Sequence, residues 1–254
     1  MPGKAALLYS GGSDSTLAAA VLAHDYEQIH LLTFTYTGIA EGAERSTVNV
    51  ERLRRKFPDR EFVHSIFYLD NLLKAILSHK RLRNILKYRL FVVAMCPICK
   101  IAMHTRTLAY CLDHSIKLVA DGANQERGRD YPEQVRTVMQ EYACFYQPYG
   151  ITYLSPVYDM PIRTDYILHE IGIYPHPNVK YASDANALIQ PKCHYSSLFK
   201  TVSIGYYKNL YGDDKFEEIT IRYYQEKFFW LWQLIDEYIK DREQSQLAML
   251  IAKG

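Results

Sequence analysis

Two groups of residues have the types and spacing to do chemistry: the run Ser10-Gly11-Gly12-Ser13-Asp14-Ser15, and the thiols of Cys96, Cys99 and Cys193. The run lies between the apolar stretch Lys4–Tyr9 and a helical pattern carried by Leu17, Ala20 and Val21. At such a junction backbone N–H groups and the positive end of a helix dipole converge on an anion. Gly11 and Gly12 permit unusual backbone angles and leave room for phosphate oxygens, and the hydroxyls of Ser10, Ser13 and Ser15 can donate hydrogen bonds. Asp14 suits a phosphate site only with Mg²⁺ between carboxylate and phosphate, which assigns it a metal. The Gly-x4-Gly-Lys-Ser/Thr pattern is missing, so a conventional γ-phosphate site is not supported. The plain alternative is a helix cap of small residues, where serine and aspartate are common.

The second group begins with Cys96-Pro97-Ile98-Cys99-Lys100, which opens a helical pattern running through Ile101, Ala102, Thr105, Leu108 and Leu112. Proline suits a first turn, and the dipole there lowers a thiol's pKa, favouring a thiolate that binds metal or carries sulfur. Cys193 follows a long stretch of weak periodicity, Tyr174–Lys192, an unusual place for a cysteine that is merely packed. Three thiolates suit a [4Fe–4S] cluster with one iron left open, whereas His194 could complete a Cys₃His zinc site, so zinc competes. A buried pair in a turn is the bland reading of the first two. Cys111 and Cys144 fall within expected helices and read as core residues.

Strands are expected near Lys4–Tyr9, Ile29–Tyr36, Glu61–Tyr68, Ile116–Ala120 and Ile151–Ser155. Helical patterns separate them, at Thr16–His24, Ala43–Lys56, Asn71–Leu90 and Glu133–Phe145, with a short one at Thr164–Ile171. This alternation predicts an α/β fold whose parallel sheet binds ligands at the strands' carboxyl ends. A last helix, Phe216–Lys240, lines up Ile221, Tyr224, Phe228, Leu231, Ile235 and Tyr238 for docking on the core or for a homodimer interface.

With 254 residues the chain makes one large domain, or a core with an appendage. A formal net charge of +2 implies no nucleic-acid field by itself, although Lys80, Arg81, Arg83, Lys87 and Arg89 cluster locally. No apolar run approaches the ~20 residues of a membrane span, and residues 1–9 lack a signal peptide's features. Five cysteines without an export signal argue against a disulfide framework. The expected location is cytoplasmic.

The loop, complete and directly after a hydrophobic strand, resembles that of the PP-loop ATP pyrophosphatase superfamily. The resemblance implies a Rossmann-like (HUP-type) parallel sheet flanked by helices over residues 1–173, then a cysteine-bearing loop and C-terminal helical extension over 174–254. It implies ATP and Mg²⁺ as cofactors, with ATP split between its α and β phosphates. Val119-Ala120-Asp121-Gly122-Ala123-Asn124 is similar to the superfamily's second nucleotide-side segment, placing Gly122 and Asn124 near the nucleotide. Gln125-Glu126 departs from the acidic pair of many members. Ser155-Pro156-Val157 and Arg163-Thr164-Asp165 resemble the stretch where members carry a basic residue, here Arg163. The end of the second strand lies where adenine is expected, with Thr33, Thr35 and Tyr36 as the candidate contacts.

The order Cys96-x-x-Cys99-Lys100, Val119–Asn124, Cys193 resembles the sulfur-handling branch, which includes tRNA thiolases with a three-cysteine cluster and LarE-like sulfur transferases. This implies an acceptor, tRNA or a small molecule, that is adenylated on a carbonyl or carboxylate and receives sulfur. Asp14, Ser13 and Cys193 are then the catalytic candidates. The rivals are an amide- or nitrile-forming ligase with structural zinc, and a nucleotide-binding or desulfurising protein that does not thiolate.

Overall fold

The computed structural model describes residues 3–38, 40–88, 95–126, 131–160, 163–177, 192–193 and 212–252. Five parallel strands form the main sheet in the order β4-β2-β1-β5-β6: β1 (Lys4–Leu8), β2 (Gln28–Thr35), β4 (Glu61–Tyr68), β5 (Leu118–Asp121) and β6 (Thr152–Leu154). The chain winds outward through β1, β2 and β4, then returns to the far side of β1 for β5 and β6. The winding direction therefore reverses between β1 and β5, and ligands bind at such a reversal, beyond the strands' carboxyl ends. Leu8 is paired with Asp121, so the loops leaving β1 and β5 emerge side by side.

Because successive side chains of a strand point to opposite faces, β1 serves two apolar layers. Ala5 and Leu7 pack with α1 (Ser13–Asp25), α2 (Thr47–Lys56) and α7 (Thr164–Glu170). Ala6 and Leu8 face the larger layer, formed by α3 (Asp70–Ser78), α5 (Met95–His114), α6 (Arg136–Tyr146), α8 (Asp213–Lys240) and α9 (Gln246–Ala252). A short antiparallel pair, β3 (Ala40–Glu41) with β7 (Lys192–Cys193), sits apart from the main sheet.

Several boundaries differ from the sequence reading for identifiable reasons. α1 starts at Ser13 rather than Thr16, because the polar first turn carries no apolar signal. The pattern Asn71–Leu90 is two helices, α3 and α4 (Arg81–Tyr88), with Leu90 outside the described residues. The break is the His79-Lys80 turn, where Lys80 adopts the left-handed φ of 52°. It is held by the buried Lys227, whose Nζ donates to the carbonyls of Ile76 (2.7 Å) and His79 (3.0 Å). An ammonium at a helix's carboxyl end satisfies orphan carbonyls and matches the dipole.

Tyr224, Phe228, Leu231, Ile235 and Tyr238 of α8 are buried in the larger layer, so its aromatic stripe docks on the core. Cys111 is buried as expected. Cys144 is exposed, because α6 buries Val138, Met139, Tyr142, Phe145 and Tyr146 on its other side. No helix among the described residues is long and apolar enough to cross a membrane.

Candidate active site

The loop between β1 and α1 is braced from outside. Gly11 sits at φ 79°, in the region that favours glycine. Gly12 has an ordinary extended conformation, φ −73° and ψ 170°, so only the first glycine uses its conformational freedom. The Gly11 carbonyl accepts from Asn49 Nδ2 (2.7 Å), which also donates to the Tyr174 hydroxyl (2.9 Å). Ser15 Oγ donates to the Gly12 carbonyl (3.1 Å), and Ser10 Oγ accepts from the Gly12 N–H (3.3 Å) and lies 3.2 Å from Ser15 Oγ. These two hydroxyls shape the loop. Among the described residues Ser13 Oγ, which is buried, has no hydrogen-bond partner. A buried hydroxyl left unpaired costs about 1–3 kcal/mol, which a ligand oxygen would recover.

Asp14 Oδ1 accepts from Thr164 Oγ1 (2.9 Å), tying the first turn of α1 to the first turn of α7. Arg163, the residue before α7, is exposed. A carboxylate in this position is an oxygen donor of the kind Mg²⁺ takes. Gly122 closes the other side of the loop: a Cβ there would lie 2.7 Å from Ser15 N, 2.8 Å from Ser15 Cα and 2.9 Å from the Asp14 carbonyl carbon. Asn124 is buried, donating to the Met160 carbonyl (3.1 Å) and accepting from the Glu126 N–H (3.0 Å). Its side chain shapes the turn, while Glu126 is exposed.

At the end of β2, where adenine was expected, Thr35 Oγ1 donates to the Ala40 carbonyl (2.5 Å), and Thr33 is buried in bonds to the Tyr9 carbonyl and His64 Nε2. Both hydroxyls are engaged within the protein. Tyr36 points to the thiols instead, its hydroxyl donating to the Cys99 carbonyl (3.0 Å).

Cys96 and Cys99 occupy the first turn of α5, partly buried, and the exposed Cys193 is brought near them by its pairing with Ala40. The three thiols influence one another electrostatically. The expectation of thiolates at this helix start is corrected. Burial pushes the Cys99 thiol up to about 12 and Cys96 higher still, and the Glu133 carboxyl adds to both. Desolvation outweighs the dipole. Among the described residues no group of three His, Cys, Asp or Glu side chains is placed to hold a metal ion. His194 lies outside those residues. The thiols are gathered without forming a ready ligand set among the described residues.

Glu133, in the turn Pro132–Gln134, is buried, and its Oε2 makes no hydrogen bond among the described residues. Burial raises its carboxyl from the ordinary 4.5 to about 7, opposed by its own backbone N–H and by Lys100. The folded state therefore holds this proton more tightly than the unfolded one. The associated stability is complete below pH 4.5 and is lost as pH rises through about 7. The loss is on the order of 3 kcal/mol. We expect Glu133→Gln to flatten the melting temperature between those pH values; a parallel decline in the variant would contradict this assignment.

The two groups of residues are joined by one ion pair. Lys100 Nζ lies 3.2 Å from Asp121 Oδ2, with side-chain exposures of 21% and 2%. Asp121 also accepts from the Tyr153 hydroxyl (3.0 Å), the Ser155 hydroxyl and the Ala123 N–H (3.0 Å). Lys100 follows Cys99, and Asp121 precedes Gly122, so the contact links the thiol turn to the β5 turn that packs against the loop between β1 and α1.

Sequence reasoning assigned no role to Asn49, Lys100, Asp121, Glu133 or Thr164. Lys100 and Asp121 stood inside the two quoted motifs, and Thr164 beside Arg163. Asn49 and Glu133 carried no local signal, since their positions are set by tertiary packing.

The family model described as "Queuosine biosynthesis protein QueC" matches residues 4–160. No curated protein matches the chain significantly. Among solved structures, the chain is similar to a 4-thiouridine synthetase in complex with RNA and bound ATP, at 21% identity and TM-score 0.49, covering 89% of this chain and 53% of that one. The chain thus spans about half the length of that structure. It is also similar to a predicted subunit of tRNA methyltransferase from Methanocaldococcus jannaschii, at 21% identity and TM-score 0.39, covering 66% of this chain and 74% of that one. The family match runs from β1 past β6 and takes in the phosphate loop, the thiol turn and Asp121: the chain belongs to the QueC family, within the PP-loop ATP pyrophosphatase superfamily of ATP-using enzymes.

Proposed function

We propose that the protein splits ATP between its α and β phosphates, adenylates a carbonyl or carboxylate oxygen of an acceptor, and replaces that oxygen with sulfur handled at Cys96, Cys99 and Cys193. The observation that supports this reading is the Lys100–Asp121 contact, since Lys100 follows the thiol turn and Asp121 precedes Gly122, which packs against Asp14 and Ser15. A carbonyl oxygen is a poor leaving group. Once it carries AMP it departs readily, and sulfur at the sulfide oxidation state takes its place on carbon. In this scheme the Ser13 hydroxyl and the loop amides hold the departing pyrophosphate, an electrostatic contribution to the transition state. Mg²⁺ at Asp14 would neutralise charge on the pyrophosphate. Lys100 provides a cation between the α-phosphate side and the thiols. The acceptor is tRNA or a small molecule.

Burial of Cys96 and Cys99, which pushes both thiols up, favours a second reading, in which ammonia attacks the same adenylate and the cysteines are structural. Labelled sulfide separates the two. With ATP and a panel of RNA and small carboxylate acceptors, radioactive sulfur should enter an acceptor, and Cys99→Ser and Cys193→Ser should lose at least about tenfold of that incorporation while still forming AMP. AMP formation accompanied by incorporation of ammonia, with no sulfur transferred, would establish the second reading. Iron and acid-labile sulfide measured after anaerobic purification report whether a cluster accompanies the thiols.

A further inference from the structure

α4 and the amino-terminal half of α8 enclose a groove of about 360 Å³, within the range of small-molecule sites and large enough for a nucleotide unit. Lys80, Arg83, Lys87, Arg222 and Lys227 line it, against one carboxylate, Glu226. Glu226 is engaged by Lys87, and Arg222 pairs with Glu218 one turn away at 2.7 Å, both partners largely exposed. Such exposed pairs are worth little and exchange readily for another anion. Lys227 differs: it is 2% exposed, its Nζ is fixed on the Ile76 and His79 carbonyls, and its charge lies beneath the groove. His79 adds none, because burial and the neighbouring lysines hold its pKa down to about 4.

The groove also has aromatic residues. Tyr223 lines it but is buried, at 1% exposure, and Phe229 stands 64% exposed. The next residue, Tyr224, donates to the Pro97 carbonyl (3.3 Å) in the thiol turn. Concentrated positive charge with an exposed ring, here Phe229, is the combination that binds single-stranded nucleic acid, phosphates on the cations and a base on the π-face.

We propose that the groove between α4 and α8 binds the phosphodiester backbone of a single strand, with Lys80, Arg83, Lys87 and Arg222 as its phosphate contacts, and delivers that strand to the thiol turn. Delivery rests on the sulfur-transfer reading, whereas strand binding does not. The test is fluorescence anisotropy of the full chain with labelled RNA and DNA oligonucleotides of the same sequence, without ATP, over a salt series. Lys80→Gln/Arg83→Gln should lower affinity roughly 25-fold at about 0.1 M salt and flatten the log–log salt slope by about 1.4, from two contacts at about 0.7 each. Arg55→Gln, an exposed arginine on α2, serves as the control and should change neither. The tighter of the two oligonucleotides identifies the strand.

Unchanged affinity and slope in the double variant would overturn the proposal, as would equal competition by polyglutamate. ATP binding by the double variant, titrated without a strand, should match that of the unaltered protein. Loss of strand binding with intact ATP binding thus bears on the groove alone, and failure of ATP binding in the unaltered protein bears on the enzyme reading alone.

Discussion

Gly122→Ala is expected to reduce ATP affinity by up to about a hundredfold while leaving the sheet folded. The added methyl would meet Ser15 N, Ser15 Cα and the Asp14 carbonyl carbon at 2.7–2.9 Å, all of them backbone atoms of α1's first turn. No rotamer change relieves such a clash, so the turn itself must move. Overpacking costs about 1–3 kcal/mol, and at its upper end, placed wholly on the nucleotide site, it gives the hundredfold loss. Calorimetric titration with ATP measures it, and circular dichroism reports the fold. An alanine variant that binds ATP normally would separate the β5 turn from the nucleotide site.

Asp121→Asn is the second large effect. Burial opposes ionisation of Asp121, but Lys100, the Ser155 hydroxyl, His104 and the Ala123 N–H together hold its carboxyl below the ordinary 3.8. Removing one partner of a buried pair costs about 3–5 kcal/mol. Lys100 retains some solvent, so a loss of about 2–3 kcal/mol is expected here. Because the folded pKa is depressed, this stability is present above pH 3.8 and is lost as pH falls through the lower folded value. The gap in unfolding free energy between the unaltered protein and the variant should therefore be full at neutral pH and close in acid. Pairing the change with Lys100→Met should restore most of the stability and none of the transfer activity. Restored activity in that double variant would mean that the contact positions nothing chemical.

The architecture was legible in the sequence because parallel strands buried on both faces read as short apolar runs, as Ala5–Leu8 and Ile29–Phe34 do. The turn between β1 and α1 was legible because two glycines among serines directly follow an apolar run and precede a helical pattern. Less visible was anything fixed by neighbours distant in the chain. The Asn71–Leu90 pattern hid a break at Lys80, which Lys227 stabilises from 147 positions later in the sequence. Thiolate character was expected from helix position alone, yet burial beside Glu133 reverses it. Asn49 bracing Gly11 and Thr164 holding Asp14 are pairings of the same kind, visible only once α2 and α7 are packed on α1.

The most direct test of the central claim uses ATP labelled in its α-phosphate. Turnover should release the label as AMP together with unlabelled pyrophosphate, and Ser13→Ala and Asp14→Ala should each cut the rate by at least about a hundredfold, an effect of the size seen when transition-state donors are removed. Labelled ADP as the sole product, or undiminished turnover in both variants, would contradict the account.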